Sequence, residues 1–175
     1  FCNKNTKPDG TPYDLYNDGL RIYTTIDSRM QRYAEEAVNE HMQDLQKSFF
    51  REKRKKSYAP FSADLSKEEI DGIMNRSMRQ TDRYRALKKQ GMSETNIRTI
   101  FNTPVAMRVF SYDGMIDTTM TPMDSIRWNK HFLRCGFMSM ETHTGAVKAY
   151  VGGTNFANFQ YDMVTTGRRQ VGSTI

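Results

Sequence analysis

The chain has 175 residues, enough to bury one ordinary core or a modest core with a small satellite. Its 26 lysines and arginines against 20 acidic residues give a net charge of +6, which favours contact with anionic polymers or surfaces without choosing one. It opens on Phe1 and has no apolar run of about 18–20 residues, which predicts a soluble piece of something longer.

Cys2 and Cys135 are too few and too far apart for a disulfide framework or a metal-ligand pattern, although they could pair in an oxidising compartment. His41, His131 and His143 lack zinc-site spacing, so no metal and no cofactor is expected.

Along the chain, residues 5–19 hold two prolines and two Asp-Gly steps and read as an extended linker. Residues 20–26, "LRIYTTI", alternate apolar and polar side chains and predict a half-buried strand. Asp27 or Ser28 then caps a helix whose stripe of Met30, Tyr33, Ala34, Ala37, Val38, His41, Met42 and Leu45 recurs every three or four residues. That stripe is expected to pack as core, with His41 hydrogen-bonded within it.

The run "REKRKK", 51–56, reads first as a solvated helix end or loop and second as a contact for nucleic acid or an anionic membrane. Residues 64–102 predict two or three charged helices, with Ser66 and Glu69 spaced as a capping box, Gly91 as a stop and Ser93 as a second start.

In 105–120, Asp113-Gly114 between alternating runs predicts a hairpin. Thr121, Pro122 and Asp124 start a helix expected to run to about Arg134, with Gly136 ending it. A second hairpin is expected to pair 137–142 with 146–152 around His143-Thr144-Gly145, and a loop over 152–166 leads to "RRQVGSTI". This order of elements predicts an α+β fold: antiparallel sheet elements, a long amphipathic helix and a mostly helical inserted lobe.

Three stretches carry a resemblance. "GLRIYTTIDSRMQRYAEEAV" resembles the opening of the transpeptidase domain of class A penicillin-binding proteins, the bifunctional peptidoglycan synthases of bacteria. "METHTGAVKAYVGG" resembles the first hairpin of that domain's sheet, and "RRQVGSTI" its approach to the nucleophile helix. The resemblance covers 19–45 and 137–175; "VFSYDGMIDTTMTPMDSIRW" is looser, and 46–100 match by position alone.

It implies a 1–19 linker, an incomplete transpeptidase domain over 20–45 and 131–175, and an accessory lobe over 46–130. It makes Ser173 the acyl-accepting nucleophile. A serine hydroxyl needs a neighbouring base or amine to take its proton, and the family's Ser-x-x-Lys would place that lysine immediately after Ile175. The serine's own amide at a helix start would be an oxyanion donor. Gly172 leaves the approach open, and Arg168, Arg169 and Gln170 are implied as positioning residues. The family's proline before Gly-Ser is Val171 here, and its Ser-x-Asn and Lys-Thr-Gly elements are not in the sequence.

The function implied is a fragment, itself inactive, of a peptidoglycan D,D-transpeptidase that cross-links stem peptides through a serine acyl-enzyme. The same serine would be the β-lactam target of a membrane-anchored parent on the periplasmic, extracytoplasmic face of the inner membrane. The alternative is a non-catalytic module docking other cell-envelope proteins or glycan. No aromatic-basic interleaving supports a nucleic-acid partner.

Overall fold

The computed structural model describes residues 2 and 4–168. Five helices and two antiparallel hairpins make up this part, an α+β fold. The elements in chain order are α1 (Ser28–Lys53), α2 (Lys67–Gln80), α3 (Asp82–Lys89), α4 (Glu94–Phe101), β1 (Val105–Val109), β2 (Ile116–Met120), α5 (Pro122–Lys130), β3 (Phe137–Met140) and β4 (Val147–Val151).

Each helix start has a local cause. The Asp27 carboxylate accepts from the Arg29 and Met30 N–H groups at the head of α1. Ser66 and Glu69 form the reciprocal capping box of α2. Ser93 caps α4, and Thr121 caps α5 with Pro122 in its first turn. The stop after α3 falls at Gly91, whose φ of +79° is the left-handed conformation that favours glycine.

The lobe from α2 to α5 has its own core. Met78, Ile97 and Phe101 are at most 1% exposed, and Met123 and Ile126 of α5 pack against them with Tyr84 and Leu87. A second cluster is aromatic: Phe110, Phe132 and Phe159 meet edge to face or tilted, with Phe50, Tyr112 and Trp128 against them. It joins the C-terminal end of α1 to α5 and to the loop after β4. The third cluster is small, Ala34 on α1 against Ala149 and Val151 on β4, flanked by Val38.

Four expectations are corrected. Residues 20–26 form no strand: Ile22 is 69% and Tyr23 87% exposed, and the hydrogen bonds to β4 here are the Thr25 hydroxyl on Val147 O, 2.6 Å, and, just past the segment, the Asp27 N–H on Lys148 O, 2.9 Å. Alternation shows which face a strand would bury, but a strand also needs a free partner edge. At β4 that edge is taken at Tyr150 by the side chain of Gln31.

The buried row of α1 is narrower than its apolar stripe. Ala34, Val38, Met42 and Gln46, four residues apart, face the protein, whereas Met30, Tyr33, Ala37, His41 and Leu45 are exposed. His41 is therefore not a packed histidine. One helix row suffices because β4 and the 131–133 segment lie along that row, with Phe50 of α1 meeting Trp128 of α5 only at the helix's far end, and the row's last member is a glutamine that the apolar pattern does not flag.

The last helix, α5, ends at Lys130 rather than near Arg134. Phe132 turns into the aromatic cluster, while Gln46 takes the two backbone groups on either side: its Nε2 donates to His131 O at 2.9 Å and its Oε1 accepts from Leu133 N at 2.8 Å. The first hairpin forms where Asp113-Gly114 predicts it, but Val109 pairs with Ile116, leaving 110–115 as a longer loop. Phe110 and Tyr112 leave the ladder to pack on Phe132. The second hairpin pairs Phe137 with Val151 and carries a register shift between Ser139 and Met140.

Candidate functional site

The site is the end of β4 with the loop 152–168 that follows it, backed by the first half of α1. Gly172, Ser173, Arg169 and Gln170 lie outside the described residues. Arg168, the one predicted site residue among them, is exposed at the end of this loop.

Three links fix the loop. The first is Gln31, whose Nε2 donates to Tyr150 O at 2.9 Å and whose Oε1 accepts from Tyr150 N at 2.7 Å, so one amide completes both free backbone groups as a neighbouring strand would. Glu35, one turn on, accepts from the same Nε2 at 2.6 Å.

The second link is Asp162. Its carboxylate accepts from the Tyr150 hydroxyl and from the backbone N–H groups of Val164, at 2.8 Å, and Thr165, at 3.1 Å. The Tyr150 hydroxyl, with these backbone donors, holds the Asp162 carboxyl down at about 2, and the carboxylate in turn raises the Tyr150 phenol. Met163 N donates to Gly152 O at 2.7 Å, and the Tyr161 hydroxyl to Thr166 O at 2.7 Å.

The third link is close packing. A Cβ on Gly136 would lie 2.9 Å from Val164 N, and one on Gly167 would lie 2.5 Å from Met163 O. Both neighbours are backbone, so only glycine lets the 162–167 turn sit against the start of β3 and fold back on itself.

Between this loop and α1 runs an open groove of about 690 Å³. Glu35, Glu36 and Asn39 line it from the helix, Tyr150 and Val151 from the strand, and Phe156, Phe159 and Tyr161 from the loop. Phe159 also belongs to the aromatic cluster, under the Arg134 guanidinium at 4.4 Å. The Tyr112 hydroxyl donates to Leu133 O and accepts from the Thr154 hydroxyl, both at 2.9 Å, tying the loop's start to the lobe.

Sequence reasoning passed over Gln31, Gln46, Tyr150 and Asp162. Their partners lie up to 119 residues away or in an irregular loop, so no local spacing announces them. Cys2 and Cys135 are free thiols, and burial raises the latter's pKa. Among the described residues no group of three or more histidine, cysteine, aspartate or glutamate side chains is placed to hold a metal ion, and no helix is long and apolar enough to cross a membrane.

Comparison with known proteins points to one family. Residues 56–133 match the family model of the penicillin-binding protein middle domain. The chain is also 22% identical over 119 residues to penicillin-binding protein 2D of Bacillus subtilis (strain 168), a match covering 68% of this chain and 16% of that relative. No solved structure matches. The family match supports a relation to the penicillin-binding proteins, and it falls on the lobe, where the sequence motifs resembled the family least.

Proposed function

We propose that this chain is part of a peptidoglycan D,D-transpeptidase of the class A penicillin-binding kind, with Ser173 as the residue that takes the acyl group. The match of the lobe to a penicillin-binding protein middle domain carries this reading. The fixed turn at 162–167, from which the chain continues to "RRQVGSTI", is consistent with it.

In this reading the Ser173 hydroxyl gives its proton to a neighbouring amine and attacks the carbonyl carbon of a terminal D-Ala-D-Ala amide. The terminal D-alanine leaves with a proton, and a second peptide's amine then takes the acyl group and releases the serine. The serine's amide and a second donor steady the oxyanion. Gly172 keeps the approach clear; Arg168, Arg169 and Gln170 hold the loop. Stem peptides are the substrates, β-lactams acylate the same hydroxyl, and the whole protein works on the extracytoplasmic side of the bacterial inner membrane. The lobe, with its own apolar core, is the accessory part.

The test is labelling by a fluorescent penicillin. The 175-residue chain should stay unlabelled, because amine and second donor are supplied by elements the sequence does not include. The full-length protein should label stoichiometrically and lose the label on Ser173→Ala. Loss of one oxyanion donor alone typically costs about 10²–10³ in rate. Unchanged labelling of the full-length Ser173→Ala protein would identify another nucleophile.

A further inference from the structure

At the C-terminal end of α1, Arg51, Arg54, Lys55 and Lys56 are all exposed. Among the described residues none of the four forms an ion pair, and the segment's single acid, Glu52, is taken by Lys53 at 3.1 Å. Cations in a helix's last turn complement its dipole, which accounts for Arg51 and Lys53. Arg54, Lys55 and Lys56 lie beyond that turn, so the dipole does not account for them.

Lys55 adds a second observation. Its φ is +64°, the left-handed conformation in which a side chain is strained and glycine or asparagine is the usual occupant just past a helix end. A lysine stands there against its backbone preference. The chain then tightens into successive turns, Lys56 N to Lys53 O at 3.1 Å and Ala59 N to Lys56 O at 3.1 Å, which present the cations as a compact knob.

We propose that this knob is a docking surface for a membrane rich in anionic phospholipid. A strand-like polyanion is favoured by a groove with exposed aromatic rings on which bases stack. The grooves beside the 152–162 loop, at the start of α1, along α2 and beside the 110–115 loop are all lined by other residues than 51–56, and Phe49, Phe50, Tyr58 and Phe61 are partly buried. An exposed helix end with four free cations instead suits a plane of phosphate headgroups, and clusters of this size are what such surfaces attract. No large apolar side chain among the described residues from 46 to 114 is exposed, so nothing inserts and the contact is reversible and salt-sensitive. α1 is about 39 Å long, so docking by its C-terminal end holds the Gln31–Tyr150 end roughly that far from the headgroups when the helix stands upright.

The experiment is co-sedimentation of the 175-residue chain with phosphatidylcholine vesicles, with and without phosphatidylglycerol, at low and physiological salt. We expect binding only to the phosphatidylglycerol vesicles, weakening as salt rises. Each cation removed should lower partitioning about fivefold, so Arg54→Gln with Lys55→Gly and Lys56→Gln should lower it about a hundredfold with the circular dichroism spectrum unchanged. Lys55→Gly alone separates charge from folding: it should raise Tm, by relieving the backbone, while lowering partitioning about fivefold. Unchanged vesicle binding by the triple variant overturns the proposal. So does tighter binding to a single-stranded oligonucleotide than to the anionic vesicles, which would make the partner a soluble polyanion.

Discussion

The lobe and the hairpin unit are held together differently. In the lobe, Met78, Ile97 and Phe101 are sealed from water by side chains of α3 and α5. In the hairpin unit, three small residues, Ala34, Ala149 and Val151, form the buried contact between α1 and β4, and polar side chains do much of the joining. Gln31, Gln46 and Asp162 each bond two or more backbone groups that no strand or helix pairs. The same unit leaves Met30, Tyr33, Phe137, Met138 and Met140 exposed. An apolar core resists local change as a body; a set of amide clamps gives way one at a time.

The strongest test of that contrast is Phe101→Ala. It opens a cavity in the lobe's core and should cost about 3–5 kcal/mol, read by denaturant titration, with loss of the α2–α4 helical signal. A cost below 1 kcal/mol would mean the lobe does not depend on that core. Gln46→Leu should come next. The site is 3% exposed, and the change leaves His131 O and Leu133 N without partners, at about 2–3 kcal/mol. If Leu proves neutral, the apolar gain offsets the clamp and the contrast is weaker than the geometry suggests.

Gln31→Ala should cost less, about 1 kcal/mol, because water can reach the Tyr150 groups it frees. The discriminating readout is amide exchange at Tyr150, which should quicken while the lobe's amides stay protected. The smallest effect is an acid one. Asp162 is depressed to about 2, so its contribution is present above the ordinary carboxylate value and is lost as pH falls from about 4 through 2. Protection of the Val164 and Thr165 amides should fall over that window, and Asp162→Asn should flatten the dependence. A loop that stays protected at pH 2 would place its order in the Gly136 packing instead.

What could be read from the letters follows the reach of each interaction. Ser66–Glu69, Ser93 and Thr121-Pro122 act within one turn, and the helices start where those residues stand. Gly91 and Asp113-Gly114 are equally local. Residues 20–26 carried a strand pattern whose partner edge Gln31 occupies, which alternation cannot report. The α1 stripe had the right period but over-counted the buried face, since width depends on what packs against it. The loop was recognisable as a loop, but Asp162 became its organiser only through Tyr150, twelve residues earlier on a strand.

Trp128 is the sole tryptophan in the sequence. Its ring stacks 5.7 Å from Phe50 of α1 and meets Phe132 edge-on, and its Nε1 donates 2.8 Å to Phe110 O. The indole is therefore the natural fluorophore of the junction between lobe and hairpin unit. Its emission should shift red when the two part, before either melts, so that a single unlabelled spectrum follows their separation.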